Sequence, residues 1–96
     1  MPIEREKIRS ALLGKGFIEV TKKRDHDFYY LAIDGRKQTV FTKLSRGSSY
    51  REYSDNLVAD VYKQICLTKP EFLEYIECSL ELIDYLQLLK ERNIIK

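Results

Sequence analysis

The sequence is poor in the residues that build metal, redox and phosphate-loop sites. It contains one histidine, two cysteines, four glycines and no tryptophan. Cys66 and Cys78 lack a CxxC spacing, and one histidine cannot complete a metal site with them. We therefore expect two buried, reduced thiols and no metal or other cofactor. The sequence shows no nucleophile–base pair and no glycine-rich phosphate loop, which argues against a small-molecule enzyme.

Long apolar runs are also missing. No segment reaches the length that crosses a membrane. The first residues, Met1 to Glu6, do not follow the basic-then-apolar order of a signal peptide. These features predict a cytoplasmic protein that makes no contact with a membrane.

Charged residues are abundant, at 33% of the chain, beside 44% hydrophobic residues. A chain of 96 residues forms one domain with a modest core, enough for two layers of secondary structure. Residues 1–51 hold twelve Lys or Arg against six Asp or Glu, a net +6, while residues 52–96 hold five against nine, a net −4. A basic half beside an acidic half is typical of a protein that turns one face to phosphate.

The first third of the chain predicts a helix and then a half-buried strand. Residues 3–13 place apolar side chains at helical spacing, and two glycines after them end the helix. Residues 17–23 alternate instead between an apolar and a polar set, as a strand with one buried face does. The two sets are Ile18 with Val20, and Glu19 with Thr21.

Two further strands complete a predicted antiparallel meander. A turn at residues 24–27 leads into a strand over residues 28–33, rich in residues that favour strands. Asp34-Gly35 predicts a type I′ turn, which needs positive φ at both positions, and a strand over about residues 37–44 follows it. Strand parity places Tyr29, Leu31 and Ile33 towards the core, and His26, Phe28 and Tyr30 on the opposite side.

The second half of the chain predicts helices. A polar loop over residues 45–54 precedes a helix with an apolar face from Leu57 to Cys66. Thr68-Lys69-Pro70-Glu71 is a capping box that opens another helix. Periodicity leaves open whether residues 69–94 form one helix or two that break near Cys78-Ser79.

The expected fold class is α+β. The order α-β-β-β-α, with a three-stranded antiparallel sheet and helices on one face, is the layout of double-stranded-RNA-binding-like (dsRBD-like) domains. We assign this domain to residues 1–78, and a C-terminal helical extension packed on it to residues 79–96.

The segment Lys22–Tyr30 concentrates the candidate functional residues. Histidine is the side chain that exchanges protons near neutral pH, so the single histidine, His26, is the candidate catalytic residue. Lysine and arginine contact phosphates, and the cations near His26 are candidates for binding RNA. These candidates are Lys22, Lys23, Arg24, Lys43 and Arg46. A solvated, non-functional turn is the alternative for the same residues.

Five short motifs lie within residues 3–78, and both their order and their spacing are informative. They are Lys15-Gly16-Phe17, Asp25-His26 with Tyr29, Asp34-Gly35-Arg36, Val40–Gly47 and Leu67–Phe72. Together they resemble the HicA (YcfA-like) family, small RNA-cleaving toxins of bacterial and archaeal toxin–antitoxin pairs.

The resemblance implies the toxin of a type II toxin–antitoxin system. Such a toxin cleaves messenger RNA without a metal, and His26 stands at the position of the family's catalytic histidine. The implied protein partner is a HicB-like antitoxin that covers His26 and the basic turn. A homodimer, through a sheet edge or through helix packing, is a further alternative.

The chain departs from the family pattern in two places. Arg24-Asp25 stands where relatives carry a small residue before the histidine, and Lys43-Leu44-Ser45-Arg46 lacks the further histidine of many relatives. One protomer therefore cannot form a two-histidine acid–base pair. The alternative function is a catalytically inactive module of the same fold that binds RNA or a protein.

Overall fold

The computed structural model describes residues 3–23, 26–45, 51–77 and 79–95, with the backbone alone at Lys22 and Lys23. Within these residues the chain is α+β, with a three-stranded antiparallel sheet, a two-stranded sheet and four helices. None of the described helices has both the length and the apolar character needed to cross a membrane.

The larger sheet consists of β2 (Phe17–Lys23), β3 (His26–Ile33) and β4 (Arg36–Ser45), with β3 in the centre. Asp34 and Gly35 connect β3 to β4 with φ angles of 52° and 78°. Two consecutive positive φ angles are what an Asp-Gly type I′ turn requires, so this prediction is confirmed.

The helices are α1 (Arg5–Gly14), α2 (Asp55–Gln64), α3 (Lys69–Ile76) and α4 (Leu82–Glu91). The predicted capping box opens α3. Thr68 N donates to Glu71 Oε1 at 2.8 Å, and Glu71 N donates to Thr68 Oγ1 at 3.4 Å. These two bonds satisfy backbone amides that the first turn of a helix leaves without partners.

The C-terminal part forms two helices, not one. At the break between them, the buried Lys15 donates from Nζ to the carbonyl oxygens of Tyr75 and Leu80. Helix α4 then returns onto the core, where the Tyr85 hydroxyl donates to the carbonyl oxygen of Ile65 at 2.8 Å. The domain boundary at residue 78 stays a prediction.

The start of the chain differs from its prediction. Ile3–Glu4 is a short strand, β1, which pairs antiparallel with β5 (Glu52–Tyr53), so the predicted helix begins at Arg5. The partner strand lies about fifty residues away in sequence, and local periodicity carries no information about it.

The core lies between the helices and one face of the larger sheet. Phe17, Tyr29, Leu31, Val40 and Leu44 are buried on this face. Tyr29 and Leu31 therefore confirm the predicted core-facing set of β3, and its third member, Ile33, is half-buried. The opposite face is called the outer face below.

Candidate nucleic-acid interface

The outer face is formed by residues that alternate with the core-facing positions of the three strands. Cross-strand pairing aligns Val20, Phe28 and Lys43 in one row, and Ile18, Tyr30 and Phe41 in the next. His26 precedes the first row on the central strand. The half-buried or exposed residues that define the outer face are Ile18, Val20, His26, Phe28, Tyr30, Phe41 and Lys43.

The alternation predicted for β2 is present, but its polar set faces the helices. Glu19 pairs with the buried Tyr29, accepts a hydrogen bond from the Tyr29 hydroxyl, and accepts another from Arg9 of α1 at 2.8 Å. Since neighbouring residues of a strand point to opposite faces, Ile18 is turned outward and is 40% exposed. The outer face therefore exposes apolar side chains. An exposed apolar patch is typical of a surface that binds a ligand or a partner molecule.

His26 begins the central strand and does not lie in the turn predicted over residues 24–27. Its backbone register places it opposite Ser45 of β4 on one side and Lys23 of β2 on the other. It is half-buried. His26 therefore has a register partner on each of the two neighbouring strands.

Asp27 lies in the same strand, but it is buried on the helix side of the sheet. Its carboxylate accepts a hydrogen bond from Arg5 at 2.8 Å and one from Thr21 at 2.9 Å. The sequence placed an acid on each side of His26. The structure turns this one to the opposite face and pairs it with a guanidinium, and Asp25 lies outside the described residues.

Arg5 also secures the strand end beside His26. Its Nε donates to the carbonyl oxygen of Ser45 at 2.8 Å, and the amide of Ser45 donates to the Tyr53 hydroxyl at 2.6 Å. Because Ser45 is the register partner of His26, these bonds fix the end of β4 next to the candidate catalytic residue.

The structure places one of the five predicted cationic side chains near His26. Lys43 is exposed on the outer face opposite Phe28, in a diagonal position to His26. The backbone of Lys23 pairs with His26, while the side chains of Lys22 and Lys23 are outside the description. Arg24 and Arg46 lie outside the described residues.

Three aromatic rings stand in series on the outer face, and Phe28, Tyr30 and Phe41 are together called the ring ladder. The Phe28 and Tyr30 centroids are 6.4 Å apart with 21° between the planes, and Tyr30 and Phe41 are 5.5 Å apart with 26°. Lys37 Nζ lies 4.9 Å from the Tyr30 ring centroid.

Phe41 and Lys37 are not among the site residues predicted from the sequence. The sequence does show that Phe41 and Lys43 lie on the same face of their strand. Which residues of β3 they face depends on the register of β3 against β4, which the sequence does not show.

A concavity of about 840 Å³ lies elsewhere, around α1. Its lining includes Arg5 and Arg9, whose guanidinium groups are engaged by Asp27 and Glu19 at 2.8 Å. Because these arginines already neutralise carboxylates in the same lining, the cavity is a poor site for phosphate. Size alone therefore does not mark the candidate site.

In residues 3–23, 26–45, 51–77 and 79–95, no group of three or more His, Cys, Asp or Glu side chains is placed to hold a metal ion. Cys66 is half-buried, and burial raises the pKa of its thiol. Cys78 lies outside the described residues. Comparison of the chain with protein-family models, curated proteins and solved structures finds no match in any of the three.

Proposed function

We propose that this protein is a HicA-like endoribonuclease toxin with a dsRBD-like fold, and that it cleaves messenger RNA at His26 without a metal. The observation that carries the proposal is the position of His26. The histidine lies on an outer face whose defining residues include no acid, beside a row that contains Phe28 and Lys43. The order α1-β2-β3-β4-α2 and the antiparallel sheet support the proposed fold.

The proposed chemistry uses the nucleophile that RNA carries itself, the 2′-hydroxyl. His26 takes the proton of the 2′-hydroxyl as a general base, and the 2′-oxygen attacks the adjacent phosphorus. The bond from phosphorus to the 5′-oxygen breaks, which leaves a 2′,3′-cyclic phosphate and a 5′-hydroxyl. Water supplies the proton to the 5′-oxygen, because the chain has no second imidazole. Lys43 stabilises the negative charge that develops on the phosphate oxygens.

Cleavage of RNA in the presence of EDTA tests this proposal. The wild type is expected to produce fragments with 2′,3′-cyclic phosphate ends. His26→Ala should lower the rate by about 10²–10⁴-fold, the usual contribution of a general base. Lys43→Gln should lower the rate less, and Lys90→Gln, which removes an exposed lysine from α4, serves as the matched control.

Equal cleavage by the wild type and His26→Ala contradicts the proposal, as does absence of cleavage by both. A 3′-hydroxyl product end would also contradict it, because attack by the 2′-hydroxyl cannot form that end.

The second candidate is a catalytically inactive module that binds RNA or a protein. It is favoured by the single histidine, which leaves the 5′-oxygen without a protein acid of the usual kind. Salt-dependent RNA binding that survives His26→Ala, without product formation, would favour an RNA-binding module. Absence of RNA binding at low salt would favour a protein-interaction module.

The proposal also includes a partner and a compartment. A HicB-like antitoxin protein would inhibit the toxin by covering His26 and the basic segment around it, in the cytoplasm. Co-expression with the product of a small adjacent gene should abolish toxicity and yield a complex that co-purifies, and failure of every adjacent product to do so would contradict this part.

A further inference from the structure

The ring ladder is a row of neighbouring aromatic side chains on the outer face, and Phe41 at its end is exposed. Phe41 is 45% exposed, Phe28 and Tyr30 are half-buried, and the small interplanar angles keep successive rings nearly parallel. Nucleic-acid bases stack on such rings on the surface of a sheet, and this stacking tolerates any base because every base has a π-face.

The charges around the ring ladder complement an anion. Lys37 lies over the ring of Tyr30, and Lys43 is opposite Phe28. The helical layer on the other side carries eight of the nine acidic residues of residues 52–96, all but Glu52 of β5. They are Asp55, Asp60, Glu71, Glu74, Glu77, Glu81, Asp84 and Glu91. A partner that combines flat aromatic groups with negative charge therefore fits the outer face. It does not fit the helical layer, which is rich in acidic residues.

From these observations we infer that the outer face binds an unpaired RNA segment, with about two to three bases stacked on the ring ladder. The phosphates then run beside Lys37 and Lys43, and His26 lies at the N-terminal end of β3, two residues before Phe28. This inference rests on the proposed function and specifies its substrate as single-stranded RNA. Duplex RNA does not fit, because its bases are stacked on one another and offer no free face to a ring.

Two residues of the same row provide a matched pair of variants. Ile18 and Phe41 flank Tyr30 on the two neighbouring strands, and their exposed fractions are similar, at 40% and 45%. Phe41→Thr removes a ring, Ile18→Thr removes an aliphatic side chain, and threonine is well tolerated in strands. Both variants are made in the His26→Ala protein, so that binding is measured without cleavage.

The experiment measures binding of a fluorescent single-stranded RNA and of the same sequence as a duplex, at several salt concentrations. We expect the single strand to bind more tightly, with an affinity that falls as salt rises. Phe41→Thr should weaken this binding by at least about fivefold, the lower end of the effect of losing one stacked base. Ile18→Thr should change it by less than about twofold. Circular dichroism and the urea midpoint confirm that both variants fold.

Several outcomes overturn the inference. They are tighter binding of the duplex, equal effects of the two variants on the single strand, and no effect of either. Dimer dissociation by both variants, without an effect on RNA, would show that the outer face pairs with a second copy instead.

The failure of the inference can be told apart from the failure of the proposed function. If Phe41→Thr in the protein with an intact His26 cleaves RNA as the wild type does, the enzyme proposal stands and the ring-ladder inference is wrong. If the ring ladder binds single strands but no variant cleaves, the inference stands and the catalytic proposal is wrong.

Discussion

Arg5 and Arg9 provide a test of how burial sets the strength of an ion pair. Both arginines lie on α1, one turn apart, and both reach a sheet carboxylate at 2.8 Å. Their environments differ. The Arg5 and Asp27 side chains are 13% and 7% exposed, whereas those of Arg9 and Glu19 are 34% and 27% exposed.

Arg5→Ala removes the guanidinium that lies 2.8 Å from the buried carboxylate of Asp27, and removal of one partner from a buried pair costs about 3–5 kcal/mol. It also removes the bond to the carbonyl oxygen of Ser45. Arg9→Ala should cost only about 0.2–1 kcal/mol, the usual value for an exposed pair. A domain of this size has a free energy of unfolding of about 5–14 kcal/mol, so the first variant loses a large share of its stability.

Urea unfolding followed by circular dichroism measures both effects. With a slope of about 1.5–2 kcal/mol per molar urea, Arg5→Ala should lower the midpoint by about 2 M and Arg9→Ala by less than about 0.7 M. High salt should reduce the effect of Arg9→Ala, because salt screens exposed charges, and should change that of Arg5→Ala little. A double-mutant cycle with Asp27→Ala should give a double variant less destabilised than the sum of the two single variants. Similar midpoint shifts for Arg5→Ala and Arg9→Ala would refute the argument from burial.

Two further predictions concern the space beside two glycines and the dependence of stability on pH. Gly16→Ala should be more destabilising than Gly35→Ala by about 1–3 kcal/mol in urea unfolding. Both residues have positive φ, 92° and 78°, but a Cβ at position 16 would lie 3.0 Å from Leu82 Cδ1, and one at position 35 meets nothing within 4 Å. Equal losses would show that Leu82 moves aside at no cost. Hydrogen bonds from Arg9 and then from Tyr29 lower the pKa of Glu19 below its ordinary value. The carboxylate therefore stabilises the fold above its unfolded pKa of about 4.3, and this stabilisation is lost as pH falls through the lower folded pKa. Wild-type stability should decline more steeply than that of Glu19→Gln below about pH 4.3, and parallel curves would contradict this.

The local elements could be predicted because their causes lie within a few residues. The Asp34-Gly35 turn depends on two positive φ angles, and the start of α3 depends on two hydrogen bonds between Thr68 and Glu71. The face assignment within β3 depends on strand alternation alone, and Tyr29 and Leu31 are buried as predicted.

Only part of the candidate site could be predicted from the sequence. The single histidine and the basic half of the chain are compositional facts, and they indicate His26 and its cationic neighbours. In the sequence, Asp27 directly follows His26. The structure shows its carboxylate on the other face, bound to Arg5, a partner twenty-two residues earlier in the chain.

By itself, the sequence determined the order of the first helix, the three strands of the larger sheet and the next helix. It also determined the tight turn, the start of α3 and the identity of the one residue suited to proton transfer near neutral pH. Only the tertiary structure decided which side of β2 meets the helices, that Ile3–Glu4 pairs with Glu52–Tyr53, and that Phe41 joins Phe28 and Tyr30 in one ladder. The physical reason is range. Turns and caps are determined by neighbouring residues, whereas the side of a strand that meets the helices depends on partners from other elements, such as Arg9 of α1, which donates a hydrogen bond to Glu19.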